Sequence, residues 1–271
     1  KINFQYENYI KLSKINKKES NNFLNHAKKY IKNPNKVPYM KKTKFKNLKN
    51  KNLSNFTHII YTHTFTDDQL TYGYDGFVNS LEWLDFTLDI LSKDINNRIL
   101  VKIHPRVFSN DFKGDTDSLD RKVFKKVIKK FQSLRVLFIN EPIKNSQIIK
   151  KLNKKTIIIS HHGTALIEGM ISGFKCISST STFWSKNFKL CNSWSNRKEY
   201  KNLLLSNYEN LDFHNKTDLN LFCKELYFHP NRYYGKDFFA NKFAEFISTD
   251  RYELMRGHLK LEEVLNNKKK N

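Results

Sequence analysis

The sequence predicts an α/β fold, a doubly wound parallel sheet with helical N- and C-terminal extensions. Short runs rich in β-branched residues alternate with segments of helical periodicity between residues 57 and 179. The runs are mostly apolar without alternation, as expected for strands that are covered on both faces. A chain of 271 residues, 39% of them hydrophobic, is long enough to bury such a sheet. Together these features are typical of βαβ units.

Five runs are predicted as strands, and four intervening segments are predicted as helices. The first helical segment carries Leu81, Leu84 and Leu88 at intervals of three and four residues, which places them on one helix face. The predicted strands are THIIYTH (57–63), ILVKIH (99–104), RVLFI (135–139), TIIIS (156–160) and KCISS (175–179). The predicted helices are GFVNSLEWLDFTLDILSK (76–93), RKVFKKVIKKFQSL (121–134), NSQIIKKL (145–152) and TALIEGMIS (164–172).

Composition divides the chain into three parts. Residues 1–55 are a lysine-rich N-terminal segment or linker, residues 56–228 hold the α/β domain, and residues 229–271 are predicted as a C-terminal helix with a basic tail. The pattern is less regular beyond residue 180, where no strand or helix is assigned before the C-terminal helix.

The net charge of +23 predicts attraction to polyanions such as anionic lipid headgroups or phosphorylated substrates. Nucleic acid is not expected as a partner, because no recognition motif with interleaved aromatic residues accompanies the lysines. The three cysteines have no metal-ligand spacing, and no apolar run approaches the roughly 20 residues that span a bilayer. These features predict a cytoplasmic protein whose basic surface faces an anionic membrane.

Histidines stand at the ends of three predicted strands, in THTFTDD (62–68), KIHPR (102–106) and SHHGT (160–164). Parallel strands end at the same edge of a sheet, and ligands of such sheets bind at that edge. The three segments therefore predict one candidate anion site. A short Asp-x-Asp at 115–117 lies in a predicted loop and is too common a string to predict a metal site.

In KIHPR, Lys102 and His104 point to one face of the strand and Ile103 to the other. Pro105 ends the strand because it has no N–H to donate to a ladder. His104 and Arg106 then lie where the strand ends, and an imidazole and a guanidinium fork can both bind phosphate there. The alternative is a surface loop with incidental charge.

In SHHGT, Gly163 allows a sharp turn and the close approach of a ligand. Thr164 is suited to cap the following helix, whose first amides attract anions. Glu168, one turn further on, can accept hydrogen bonds from ribose hydroxyls. His161 and His162 supply imidazoles, and one of them could instead be a buried structural histidine. The alternative is that Thr164 only caps and Glu168 only balances the helix dipole.

The first segment offers His63 with two carboxylates, Asp67 and Asp68. A carboxylate close to a cationic phosphate site is a candidate general base for an acceptor hydroxyl. The alternative is that Asp67 or Asp68 caps the next element.

In this order and spacing, the motifs resemble the donor-binding half of GT-B glycosyltransferases. They are most similar to the bacterial capsule polysaccharide biosynthesis group, which includes transferases that use CMP-activated Kdo. The resemblance covers residues 56–182, and the later motifs follow the family's order. The matching residues are H-x-F-x-D at 63–67, a helix with Trp83, K-x-H-P at 102–105, G-T-x-x-x-E at 163–168 and GFKCISS at 173–179.

The resemblance implies a Rossmann-like nucleotide-sugar-binding domain in 56–228, with 1–55 as the remnant of an acceptor domain or its linker. His104, flanked by Lys102 and Arg106, would hold the donor phosphate together with the Gly163-Thr164 helix start. His161 or His162 would assist at that phosphate, and Glu168 would bind the ribose. Asp67 would be the base or would position the acceptor, and His63 and His104 complete the predicted catalytic set.

The implied activity is transfer of a sugar from a nucleotide-activated donor, CMP-Kdo being favoured, to a growing polysaccharide of capsule or lipopolysaccharide type. The implied partners are the nucleotide-sugar donor and a glycan or glycolipid acceptor, with no metal and no cofactor. Two alternatives remain open. One is a GT-B-type sugar-nucleotide epimerase, and the other is a non-catalytic basic module that binds polyanions.

Overall fold

The computed structural model describes residues 28, 44–48, 52–65, 74–108, 115–182, 185 and 188–228. In chain order its elements are β1 (His58–Tyr61), α1 (Ser80–Leu91), β2 (Ile99–Lys102), α2 (Pro105–Phe108), α3 (Asp115–Phe131), β3 (Val136–Ile139), α4 (Asn145–Ile149), β4 (Ile157–Ser160), α5 (Ala165–Ile171), β5 (Cys176–Ser179), β6 (Asn192–Trp194), α6 (Arg197–Leu205), a 3₁₀ turn (Tyr208–Asn210) and α7 (Lys216–Phe228).

The strands form one sheet in the order β3-β2-β1-β4-β5-β6, and every pair is parallel. The chain moves outward in one direction from β1 to β3 and then in the other direction from β4 to β6. This arrangement confirms the predicted doubly wound parallel sheet. The direction reverses between β1 and β4, and open sheets of this kind bind ligands at the carboxyl edge beside such a reversal.

Helices cover both faces of the sheet because successive strand residues point to opposite sides. Ile60, Val101 and Ile159 belong to the core of the first face, and Ile59, Leu100 and Ile158 to the core of the second face. The first face is covered by α1, α3 and α6, which contribute Leu84, Leu88, Phe124, Val127, Tyr200 and Leu204. The second face is covered by α4, α5 and α7, which contribute Ile148, Leu166, Ile167, Leu219 and Phe222.

The elements differ from the predicted ones at several places. Pro105 begins the short helix α2, which was not predicted, since its fixed φ suits the first helical position. The helix α3 begins at Asp115, so the Asp-x-Asp of 115–117 is helical and not in a loop. Neither β6 nor α6 was predicted. The strand β6 has only three residues, NSW, and carries no β-branched apolar run.

The flanking parts are described only in part. Leu53 is fully buried in the core of the second face, and Lys46 forms an isolated parallel bridge with Ile143. Residues 44–55 therefore pack, where described, against the α/β domain. The predicted C-terminal helix and tail of 229–271 lie outside the described residues. Within the described ranges, no helix is both long and apolar enough to cross a membrane.

Candidate functional site

The strand register brings three histidines into one row. Tyr61 of β1 lies opposite both Lys102 of β2 and Ser160 of β4. Two residues beyond these partners come His63, His104 and His162, which therefore extend from the second face of the sheet. The ring centroids of His63 and His104 are 5.6 Å apart, and those of His63 and His162 are 4.5 Å apart. We call His104, His63 and His162 the histidine row.

Two imidazoles of the row, those of His104 and His162, are held neutral near pH 7. Burial lowers the pKa of His104 to about 3, and the nearby His63, Lys102 and Arg106 lower it further in the same direction. Burial, His63 and His161 hold the pKa of His162 well below its ordinary range. The backbone N–H of Arg106 donates a long hydrogen bond of 3.4 Å to Nδ1 of His104. A neutral His104 therefore carries its proton on Nε2 and can donate it to an anion.

Lys102 places a cationic group beside the row. Its side chain is buried, and Nζ donates a hydrogen bond of 2.7 Å to the carbonyl of Ile103. Burial lowers the pKa of Lys102 to about 7, although Glu141 opposes the shift. An anion bound next to this amine would favour the charged form. Arg106, at the start of α2, is partly buried and also close enough to depress the pKa of His104.

Gly163 lies directly against the row. A Cβ at this position would stand 2.6 Å from Oγ of Ser160 and 3.6 Å from Cδ2 and Nε2 of His63. That Oγ donates to the carbonyl of Tyr61 at 2.8 Å and accepts from the Gly163 N–H at 3.1 Å. The φ of Gly163 is not left-handed, since Gly76 and Gly173 are the positive-φ glycines of the described chain. Close approach, and not the predicted sharp turn, is what requires glycine here.

The prediction that Thr164 caps the following helix is wrong. Thr164 is exposed, has φ −61° and ψ −15°, and makes no side-chain capping bond, because its backbone is already helical. The amides of Leu166 and Ile167 bond to the carbonyls of Gly163 and Thr164 at 3.1 and 3.0 Å. The amides of Leu166, Ile167 and Gly163 are therefore engaged within the chain.

Glu168 lies on α5 at the second face of the sheet. Its Oε1 accepts a hydrogen bond of 3.3 Å from Nδ2 of Asn145, the first residue of α4. Burial raises the pKa of Glu168 to about 7, and the bond from Asn145 opposes this shift. Burial and then Glu168 raise the pKa of the Tyr61 phenol well above its usual value, so the two groups are close. The sequence analysis did not include Asn145 or Tyr61, since neither lies in a recognisable motif.

The two adjacent histidines face different surroundings. His162 belongs to the row, whereas His161 is buried beneath the first face with its Nε2 2.9 Å from Oδ2 of Asp75. The ring of His161 meets Trp83 and Trp194 edge to face at centroid distances of 5.5 and 5.8 Å. Asp75 was not predicted as a site residue, because a single aspartate in an irregular segment gives no signal. His161 has the buried role that the sequence left open for one of the pair.

The predicted base lies beyond the described part of this segment. His63 stands in the centre of the row, but Asp67 and Asp68 fall among the residues that are not described. The last described residue before them, Phe65, donates its backbone N–H to Oδ1 of Asp120 at 3.0 Å. Asp120 is fully buried and anchors the segment as it leaves the row. No cluster of three or more His, Cys, Asp or Glu suited to a metal ion occurs in the described ranges.

No protein-family model matches the sequence, and no curated protein matches it. In structure, the chain is similar to the beta Kdo 2,4 transferase of Thermosulfurimonas dismutans KpsC, with a TM-score of 0.45, 15% identity, and coverage of 76% of this chain and 55% of that one. It is similar to the beta Kdo 2,7 transferase of the same KpsC, with a TM-score of 0.42, 13% identity, and coverage of 83% and 59%.

A third similar structure is the UDP-GlcNAc 2-epimerase of Methanocaldococcus jannaschii in complex with UDP-GlcNAc and UDP. Its TM-score is 0.38 at 13% identity, with coverage of 81% of this chain and 51% of that one. The chain thus spans between 51% and 59% of the length of these solved structures. At such low identity the likeness concerns the fold alone.

Proposed function

We propose that this chain is the donor-binding part of a metal-independent glycosyltransferase that uses a nucleotide-activated sugar. The observation that carries the proposal is the histidine row, three imidazoles side by side at the carboxyl edge next to the reversal of the sheet. A CMP-activated sugar acid such as Kdo is the favoured donor, and a growing surface polysaccharide or glycolipid is the acceptor. The favoured location is the cytoplasmic side of the membrane.

The donor phosphate would lie on the histidine row. Neutral imidazoles offer one N–H donor each, and His104 already directs its Nδ1 lone pair toward the Arg106 amide. Lys102 and Arg106 add positive charge beside His104, whose pKa they lower. A few directed donors with adjacent cations suit a single phosphodiester, as in a CMP-sugar, because its charge is small and its oxygens are few.

The ribose would lie against Glu168. An ionised carboxylate accepts hydrogen bonds from two vicinal hydroxyls, and Asn145 already orients Oε1 of Glu168. Since burial raises the pKa of Glu168 to about 7, the free protein holds this group partly protonated near neutral pH. Ribose binding would favour the ionised form and release a proton. Nucleotide affinity is then expected to rise with pH through about 7 until Glu168 is fully ionised.

Catalysis would be electrostatic. As the bond between the anomeric carbon and the phosphate oxygen breaks, negative charge grows on the departing CMP, and the imidazole N–H groups and Lys102 stabilise it. The acceptor hydroxyl forms the new bond to the anomeric carbon, and its proton passes to Asp67, the candidate base four residues after His63 in sequence. Each group has a role without a bound metal or a cofactor.

The acceptor side of the proposal uses the basic surface. From residue 121 to its end, α3 exposes five lysines and contains no acidic residue. These exposed residues are Lys122, Lys125, Lys126, Lys129 and Lys130. Such a face attracts an anionic glycan or an anionic inner membrane, and the attraction falls as salt rises.

Nucleotide binding tests the proposal. Isothermal titration of CMP, CDP, UDP and GDP against the wild-type protein should give binding by one nucleotide, with CMP favoured. His104→Ala and Glu168→Ala should weaken that binding by about tenfold to a hundredfold, because each removes a hydrogen bond that involves a charged group. His58→Ala is the matched control, since His58 lies at the opposite end of β1 from the row. It should lose stability but keep its affinity.

Two outcomes separate the alternatives. Absence of any nucleotide response, together with salt-sensitive binding of DNA or an anionic glycan, would refute the enzyme and support the polyanion-binding module. If a nucleotide binds, product analysis with a labelled nucleotide sugar and a glycan acceptor distinguishes the enzymes. A labelled glycan supports transfer, whereas a labelled nucleotide sugar of inverted configuration supports the epimerase.

A further inference from the structure

The exposed side of α3 is a continuous stripe of lysines. Four exposed lysines recur at intervals of three and four residues, which places them on one side of the helix, opposite the apolar residues that pack on the sheet. We call them the lysine stripe: Lys122, Lys125, Lys126 and Lys129. None of the four forms an ion pair within the described part of the chain. The stripe therefore presents its full positive charge to the solvent.

The surroundings of the stripe leave this charge largely unopposed. From residue 121 to residue 135 the chain has seven Lys and Arg residues and no Asp or Glu. The carboxylates of the neighbouring helix α1 are engaged by a lysine outside the stripe, because Nζ of Lys130 lies 3.1 Å from Asp85 and 3.9 Å from Asp89. A surface of one sign of charge attracts partners of the other sign.

Two large apolar side chains project from the turns next to the end of α3. Leu134, between α3 and β3, has a relative exposure of 102%, and Ile95, between α1 and β2, has one of 77%. The two turns are joined, because Nη1 of Arg135 donates a hydrogen bond of 2.8 Å to the carbonyl of Asp94. Both turns lead into parallel strands, so they lie at the amino edge of the sheet. We call Leu134 and Ile95 the apolar tips.

Charge and apolar surface together indicate the kind of partner. A soluble polyanion binds through the lysines and gains little from exposed leucine and isoleucine side chains. An anionic bilayer attracts lysines to its headgroups and also takes apolar side chains into the boundary below them. Lysine stems can lie along that boundary while their ammonium groups stay at headgroup level. A bilayer therefore uses both parts of this surface, whereas a soluble polyanion uses one.

We propose that the lysine stripe and the apolar tips form a docking surface for an anionic lipid bilayer. The histidine row lies at the opposite edge of the sheet, and a strand of four residues is about 13 Å long, so docking leaves the candidate site open. That the docked protein is a transferase rests on the proposed function, whereas vesicle binding is a property of the protein alone.

Co-sedimentation of the full chain with phospholipid vesicles tests the docking surface without any nucleotide. The wild-type protein should bind vesicles of equal parts phosphatidylglycerol and phosphatidylcholine, should not bind vesicles of phosphatidylcholine alone, and should bind less as salt rises. The double variant Lys125→Glu/Lys129→Glu should bind about twentyfold more weakly or worse, because each lysine near an anionic surface contributes about fivefold.

A matched variant controls for net charge. Lys150→Glu/Lys216→Glu makes the same change of charge at exposed positions of α4 and α7, on the other face of the sheet. It should bind the anionic vesicles nearly as well as the wild-type protein. The lysines of the N-terminal segment are the same in both variants, so the difference between the variants reports the stripe.

The apolar tips distinguish a bilayer from a soluble polyanion. Leu134→Ser/Ile95→Ser changes no charge, and should weaken vesicle binding by about tenfold because it removes the apolar surface that the bilayer takes up. The same variant should keep wild-type affinity for dextran sulfate, a soluble polyanion. Thermal unfolding should show that it remains folded, since both side chains are exposed.

Three results would overturn the docking surface. The first is a wild-type protein that does not bind anionic vesicles, and the second is an equal loss in the two lysine variants, which would assign binding to net charge alone. The third is wild-type vesicle affinity in the serine variant, which would leave the stripe as a site for soluble polyanions.

A titration with CMP keeps this inference separate from the proposed function. Vesicle binding by a protein that does not bind CMP would support the docking surface and refute the proposed function. CMP binding by a protein that does not bind anionic vesicles would refute the docking surface and leave the proposed function in place.

Discussion

The contact between Gly163 and Ser160 supports a quantitative prediction about Gly163→Ala. The added methyl carbon would stand 2.6 Å from Oγ of Ser160, well inside van der Waals contact. The hydroxyl ends a short side chain, so it can rotate away without a backbone shift. Rotation would break its bonds to the Tyr61 carbonyl and from the Gly163 N–H, at 2.8 and 3.1 Å.

The expected cost follows from those two bonds. A buried hydrogen bond contributes about 0.5–1.5 kcal/mol, so losing both lowers the free energy of unfolding by about 1–3 kcal/mol. Ser160→Ala removes the same two bonds and is expected to cost about as much. The double variant Ser160→Ala/Gly163→Ala should cost no more than either single variant, because the clash has lost its partner. The cycle therefore predicts a coupling of about 1–3 kcal/mol.

Urea unfolding followed by circular dichroism measures the cycle on four proteins. For a domain of this size, about 1 kcal/mol corresponds to a change of about 2–4 °C in Tm, so thermal scans give a second reading. Additive losses in the double variant would refute the reasoning, since they would mean that the Ser160 hydroxyl is not what the methyl group meets. A single Gly163→Ala variant as stable as wild type would refute it as well.

Three further predictions concern separate parts of the molecule. Asn79→Ala should lower the free energy of unfolding by about 1 kcal/mol in urea titrations, because Oδ1 of Asn79 caps α1, whereas Asn79→Asp should keep most of the stability. Tyr200→Phe removes the 2.6 Å bond between its hydroxyl and Thr87, and should cost about 1 kcal/mol in the same assay, since Thr87 keeps its bond to the Trp83 carbonyl; a neutral result would contradict the buried contact. Burial raises the pKa of Glu168 from 4.5 to about 7, so the folded state keeps a proton that the unfolded state has lost, and stability falls as pH rises between these values. Glu168→Gln removes this loss, so its Tm relative to wild type should increase up to about pH 7 and then level off; a difference independent of pH would contradict the shift.

Much of the fold could be predicted because its signal is local. The isoleucines of the run IIIS predict that β4 is buried, since a strand covered on both faces tolerates few polar residues. The spacing of the leucines in α1 predicts which face of that helix is buried. The strand β6 was not predicted because Asn192 and Ser193 give it a polar sequence. It is a strand only because it pairs with β5. Strand formation there depends on a neighbour that is distant in the chain.

The candidate site was predicted less completely. The histidines at the ends of β1, β2 and β4 could be chosen from the sequence, because strand ends in a parallel sheet meet at one edge. The sequence could not show which of His161 and His162 lies in the histidine row and which lies in the core of the first face. His161 and His162 are neighbours in the chain, yet one contacts Asp75 and the other stacks beside His63. Only the direction in which each side chain leaves β4 decides between these surroundings.

The amino-acid sequence by itself determined the alternation of strands and helices, the histidine-bearing strand ends and the basic surface, because each follows from the chemistry of residues within one short segment. Tertiary structure alone decided the order of the strands, the pairing of Tyr61 with both Lys102 and Ser160, and the approach of Asp75 to His161. These features depend on packing between segments far apart in the chain, where register and the close approach at Gly76 fix which atoms meet.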